Sequence, residues 1–202
     1  MKLYDSATAP NPRRVRVFLA EKGIAVPTEQ VDITKAVNRE APFRAKNPLG
    51  TVPVLELDDG TCIAESVAIC RYFEETQPEP PLFGVDARDR ALVEMWQRRM
   101  ELELFIPIAQ VFRNSHPFFA GRIPQVAEWG EVNRKHALAT MTWLDRELAD
   151  REFVAGPRYT IADVTALCGV DFGRVSKIRV APDRANLARW HAAVTARPSA
   201  AA

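Results

Sequence analysis

The sequence predicts a mixed α/β unit followed by an all-helical unit. Three observations carry that expectation. Over residues 1–77 the apolar period changes repeatedly between strand-like and helix-like, whereas from residue 86 to 202 every sustained pattern is helical. Between them, residues 78–85 lie in a stretch holding Pro78, Pro80 and Pro81 with no period of its own, the composition of a linker. A chain of 202 residues is also long enough to build a core without disulfides or a structural metal.

Each element has its own signal. Lys2-Leu3-Tyr4 reads as a short strand. Arg13 to Lys22 reads as a helix with Val15, Phe18 and Leu19 on one face, Asn11 as N-cap, Pro12 as first helical residue and Gly23 as stop. Thr28 to Ile33 reads as a second strand, followed by a short irregular helix over Asn38 to Ala45. Pro53 to Leu57 and Thr61 to Ala64 flank Asp58-Asp59-Gly60, a hairpin turn. From Glu65 the chain turns helical, with Val67, Cys70, Tyr72 and Phe73 apolar. The first two strands should pair in parallel and the hairpin antiparallel. In the second half, Asp86 to Asn114 forms a long helical pattern, with Leu92, Met95, Trp96, Met100, Leu104, Ile108 and Phe112 near one face, and with a kink or break expected at Pro107. Helices over residues 126–149, Thr160 to Gly169 and Asn186 to Ala196 follow, with Trp143 and Trp190 assigned to the core. Thr160-Ile161-Ala162-Asp163 is a capping-box variant with a structural role. The alanine-rich C-terminal residues should fray.

Composition narrows the function. With 27 Lys+Arg against 26 Asp+Glu, the net charge of +1 argues against a nucleic-acid binder relying on bulk charge. No apolar run approaches a membrane span, and Asp5, Pro10, Pro12, Arg13 and Arg14 interrupt any signal-peptide core, so a soluble cytoplasmic protein is expected. Cys62, Cys70 and Cys168 fit neither a disulfide framework nor a CxxC pattern. His116, His136 and His191 are too scattered for a metal site, and no metal is expected.

The chemistry-bearing segment is Asn47-Pro48-Leu49-Gly50-Thr51-Val52-Pro53-Val54-Leu55, with Ala64-Glu65-Ser66-Val67 after it. Pro53 cannot donate from its nitrogen, so Val52 before it is free to pair with an extended peptide. A cis Val52-Pro53 bond would fix that presentation. Glu65 and Ser66 open a helix whose amides and dipole favour a carboxylate. A peptide with an anionic end fits both features.

Together, the NPxGxVPxL segment, the Glu-Ser pair and the helical half with TIAD resemble the cytosolic glutathione S-transferases, over Lys2 to about Pro198. The resemblance implies a thioredoxin-like N-terminal domain, a helical C-terminal domain, a homodimer, no metal and glutathione as cosubstrate. It implies that Val52, between Thr51 and a cis Pro53, pairs with the cysteinyl backbone, that Glu65 and Ser66 hold the γ-glutamyl end, and that Asn38 contacts the glycine end. The family's usual loop serine falls here on Ala9. The resemblance is therefore to bacterial members in which an Asn faces the thiol, making Asn11 the first candidate, with Thr8 and Ser6 behind it. A helix N-terminus raises the thiolate fraction of a thiol of pKa ~8.5. Asn11 as a plain N-cap and Asn11 as a thiol donor remain equal alternatives. A hydrophobic electrophile is expected over the thiol, between the domains, against Phe105, Ile108, Phe112 and His116. Conjugation is the leading function, with glutathione-dependent disulfide reduction and a non-catalytic scaffold as alternatives.

Overall fold

Four short strands organise the first unit. In the computed structural model, which describes residues 1–202, β1 (Lys2–Asp5), β2 (Thr28–Gln30), β3 (Val54–Glu56) and β4 (Cys62–Ala64) form one sheet in the order β2-β1-β3-β4. β1 and β2 are parallel, and β3 is antiparallel to both β1 and β4, as expected. β4 therefore runs in the direction of β1. The register sets Tyr4, Val54 and Ala64 in one row and Asp5 beside Gln30. Everything just beyond that row lies along one edge of the sheet: the loop after β1, Val52-Pro53 before β3, and Glu65-Ser66 after β4.

β2 is shorter than predicted. It is an edge strand with all three residues exposed, and Asp32 turns the chain by accepting from the Thr34 and Lys35 amides. Leu3 and Leu55 point to one face of the sheet. There α1 (Pro10–Lys22) and α3 (Ser66–Thr76) pack together, burying Val15, Phe18, Leu19, Ile69, Cys70 and Phe73. Tyr4 and Val54 point the other way and join Val31 and Phe43, the latter from α2 (Ala41–Arg44).

Two expectations about the ends of elements need correction. α1 begins at Pro10 with Ala9 as its N-cap, so Asn11 lies inside the first turn and is not the cap. Proline fits the first position because its missing N–H would be unpaired anyway. The C-terminal residues do not fray. Pro198–Ala201 form a 3-10 turn on α1, where the Ser199 hydroxyl donates to Glu21 and Arg13 donates to the Ala200 carbonyl at 3.0 Å.

The second unit, Leu82–Arg197, contains α4 (Ala87–Arg99), α5 (Ile106–Ser115), α6 (Ala127–Glu147), α7 (Ile161–Phe172) and α8 (Ala185–Thr195). The predicted long helix is split by a π-helical segment, Met100–Phe105, rather than by a simple kink. The wider turn lets Pro107 fall in the first turn of α5, where its lost hydrogen bond matters least. Leu92 does not face the core; it is 41% exposed. Trp143 is likewise only half-buried, stacked on Trp96 at 5.4 Å with Arg99 over both rings. Trp190 is fully buried, and its indole donates to Asp163 at 2.9 Å. Asp163 completes the capping box with Thr160 and also accepts from the Val154 amide at 2.8 Å. Burial pushes its carboxyl up to about 6 against those donors. No helix is long and apolar enough to cross a membrane.

Candidate functional site

The loop after β1 is held from below by a buried carboxylate. Asp5 accepts from Arg16 at 2.6 Å and from Gln30 at 2.6 Å. The same two side chains grip Ala7, Gln30 accepting from its amide at 2.9 Å and Arg16 donating to its carbonyl at 3.1 Å. The Ala9 amide closes the turn onto the Ser6 carbonyl at 3.0 Å. Ser6 is thereby buried and Thr8 exposed. Such doubly anchored backbone holds its geometry before any ligand arrives.

The α1 N-terminus that follows is unusual in its donors. Pro10 and Pro12 have no N–H, and the Arg13 amide bonds to the Ala9 carbonyl at 3.3 Å. Of the amides a helix normally leaves open in its first turn, only that of Asn11 remains. The Asn11 side chain does not cap, since its Oδ1 accepts from Arg14 Nη2 at 2.5 Å. Its NH2 end is left as a second donor.

Along the same edge, the Val52-Pro53 bond is cis. Pairing of β3 begins at Val54, so Val52 stands outside the ladder, half-buried against the cluster of Tyr4, Phe43 and Val54. Pro53 is buried. Glu65 has φ 67 and ψ 118, a left-handed backbone on a non-glycine residue that costs ~1–3 kcal/mol and clusters at functional sites. It is the N-cap of α3, with an exposed side chain that makes no bond within the chain, while Ser66 is 4% exposed with its hydroxyl likewise uncommitted. A helix N-terminus, a buried free hydroxyl and an accessible carboxylate together suit an α-amino acid end, the amine on Glu65 and the carboxylate on Ser66 and the amides.

Thr51 and Asn38 serve the turn that presents Val52. Asn47, 4% exposed, donates to both the carbonyl and the hydroxyl of Thr51, at 2.9 and 2.8 Å, and accepts from the Leu49 amide. Asn38 donates to the Gly50 carbonyl at 2.7 Å, which engages one N–H of its side-chain amide inside the protein. Gly50 is required there, because a Cβ would lie 2.6 Å from the Asn38 carbonyl oxygen on a backbone with φ 59.

In the second unit, Phe105 and Ile108 are 3% and 0% exposed and belong to the helical core. Phe112 and His116 are half-exposed, their rings 4.6 Å apart. Phe112 also meets Phe119 and Phe172 edge-on at 5.2 and 5.1 Å and stacks near Phe118, a half-exposed aromatic group. All three histidines have local partners: His116 accepts from the Phe118 amide, and His136 and His191 pair with Glu103 and Asp171.

From the sequence alone, Asp5, Arg16 and Gln30 have no place in the site, Asn47 enters only as part of its segment, and Arg14 is not paired with Asn11. The spacing of Asn11 and Arg14, one helical turn apart, was the one signal available for that pair.

Sequence profiles of the glutathione S-transferase N-terminal and C-terminal domains match residues 8–76 and 116–198. Glutathione S-transferase 2 of Saccharomyces cerevisiae is 36% identical over 203 residues, covering 98% of this chain and 87% of that protein. The crystal structure of Gtt2 from Saccharomyces cerevisiae matches with a TM-score of 0.94 at 36% identity over 98% of both chains. A glutathione S-transferase domain-containing protein from Marinobacter aquaeolei matches with a TM-score of 0.93 at 41% identity, over 98% of this chain and 99% of that one.

Proposed function

The chain belongs to the glutathione S-transferase family of enzymes, and we propose that it binds glutathione as the thiolate at the sheet edge described above and conjugates it to a hydrophobic electrophile. The observation that carries this is the convergence, along one row of the sheet, of an unpaired Val52, the Glu65-Ser66 helix start and the Asn11 helix start. Val52 adds the cysteinyl residue of glutathione as a short strand. Ser66 and the α3 amides take the γ-glutamyl carboxylate, and Glu65 takes the amine. The thiol then lies at the Asn11 turn, where the helix end and two donors stabilise the sulfur once its proton has left to solvent. The sulfur lone pair forms the new bond to the electrophilic carbon, whose leaving group departs with the displaced electron pair, or whose π-bond takes them up. The half-exposed aromatic group of Phe112 and His116, within the second unit, is of the chemistry that suits a hydrophobic partner.

We further propose a homodimer, in which a second copy covers Leu92, Leu102, Ile106, Trp129 and Val132. These five side chains are exposed on α4, the π-helical segment, the start of α5 and α6, the elements that also carry Arg99, Glu103 and His136, whose mixed signs suit a self-complementary face.

Calorimetric titration with reduced and then oxidised glutathione tests the reading. Binding of the reduced form, weakened roughly tenfold or more in Ser66→Ala through loss of a charged hydrogen bond, is expected. Absence of heat with both forms at two temperatures refutes it in favour of a scaffold, and tighter binding of the oxidised form favours disulfide reduction. Sedimentation at varied concentration tests the dimer, and a persistent monomer refutes it.

A further inference from the structure

Arg14 is a cation on a residue only 4% exposed, near the start of α1. That is the wrong end of a helix for positive charge, because the dipole there is itself positive. Burial adds a further cost. One of the contacts that Arg14 makes there bears directly on the site. Arg14 Nη2 donates to Asn11 Oδ1 at 2.5 Å, a charge-assisted bond between residues one turn apart. The carboxamide of asparagine has an acceptor end and a donor end. With the oxygen turned to Arg14, the NH2 end faces the opposite way, and no other group in the chain engages it.

The local sequence makes that orientation matter. Pro10 and Pro12 remove two of the amides that would otherwise meet an anion, and Ala9 offers no hydroxyl. The donors left at this helix end are both Asn11's: its main-chain N–H and its side-chain NH2. A flipped carboxamide would present oxygen, which repels a thiolate. We propose that Arg14 is a positioning residue that fixes the carboxamide of Asn11 donor-outward toward the glutathione sulfur. This rests on the assignment of the thiol to the Asn11 turn. Arg14 acts through Asn11 and does not itself touch the substrate.

The test is the pKa of the bound glutathione thiol, followed by thiolate ultraviolet absorbance, with calorimetric affinity measured on the same samples. In the wild type the thiol should titrate below ~8.5, the value of a free cysteine thiol. Arg14→Met should raise it by about one unit, as should Asn11→Ala. The double variant should match Asn11→Ala alone, since the arginine has nothing left to orient. Arg14→Lys, which keeps the charge and one donor, should recover part of the shift. Additive shifts would mean that Arg14 acts directly by its charge and would overturn the proposal. So would an unchanged thiol pKa in Arg14→Met that still binds glutathione. A wild-type thiol titrating as in free glutathione would overturn the thiol assignment itself, with the proposal following it. Should Arg14→Met fail to fold, Asn11→Asp keeps the arginine and its partner oxygen but turns a second oxygen outward. Its thiol pKa should exceed that of Asn11→Ala, and an equal or lower value overturns the proposal.

Discussion

Lys22, the last residue of α1, should prove the most costly single polar side chain to remove from the first unit. Its ammonium is fully buried, 2.7 Å from Glu74 Oε2, and donates to the carbonyls of Gln77, Pro78 and Pro80 at 2.8, 3.1 and 2.8 Å. Lys22→Met keeps most of the stem volume but deletes the charge. It takes the Lys22 charge away from a carboxylate only 9% exposed and removes the ammonium donor from three carbonyls. Breaking a buried pair costs ~3–5 kcal/mol. Glu74 keeps slight access to water, which places the expectation near ~3 kcal/mol, a large share of the ~5–15 kcal/mol that holds a domain folded. Urea unfolding followed by circular dichroism measures it. Glu74→Gln should cost less, because Lys22 retains its three carbonyls, and the double variant should cost less than the sum of the singles. A loss below ~1 kcal/mol in Lys22→Met would refute the reasoning. The pair matters for the site because it joins the far ends of α1 and α3, the two helices whose other ends meet at the sheet edge.

Two further perturbations are diagnostic. Gly50→Ala places a Cβ 2.6 Å from the Asn38 carbonyl on a left-handed backbone. It should lower stability by at least ~1 kcal/mol and weaken glutathione binding through the displaced Val52; an unchanged melting temperature would contradict this. Asp163 has a folded-state pKa raised by burial to about 6 from 3.8. Its stabilising contribution is therefore fullest below pH ~4 and declines as pH rises through about 6, by a total of ~3 kcal/mol. The stability difference between wild type and Asp163→Asn should shrink from pH 4.5 to 7.5, and a difference that grows would show that the four donors outweigh desolvation.

What was legible in the sequence had a short signature of contiguous residues. Val52-Pro53, the hairpin turn at Asp58-Asp59-Gly60, the start of α3 and the Thr160–Asp163 box each announce themselves by residue type. The clamp under the loop after β1 does not, because Asp5 meets Arg16 and Gln30 across 11 and 25 residues. The parallel register of β1 and β2 brings Gln30 beside Asp5, and α1 brings Arg16. Asn11 was misplaced by two residues, since Ala9-Pro10 and Asn11-Pro12 both satisfy the preference for proline at the first helical position. The strained Glu65 had no signature at all, since nothing about a glutamate foretells a positive φ. The tail was misjudged by composition, because alanines that look featureless fit closely against α1.

The two helix ends at the sheet edge differ in a way that matches the two anions assigned to them. α3 has no proline in its first turn, so Ser66, Val67 and Ala68 keep their N–H groups and can meet a carboxylate that is fully charged at neutral pH. α1 has two prolines there and keeps only Asn11's donors. A thiolate is a different kind of anion to serve. Its nucleophilicity falls as its pKa falls, and the best attacking thiol has a pKa near ambient pH. A helix end offering four open amides and a hydroxyl would drive the thiol pKa below that point and blunt the sulfur it stabilised. Pro10 and Pro12 limit the donor supply, and in the proposed site Asn11, held by Arg14, would restore a measured part of it. With the sulfur placed there as proposed, the combination would favour ionisation while leaving the sulfur reactive, and a loop with alanine in place of serine would still suit thiol chemistry.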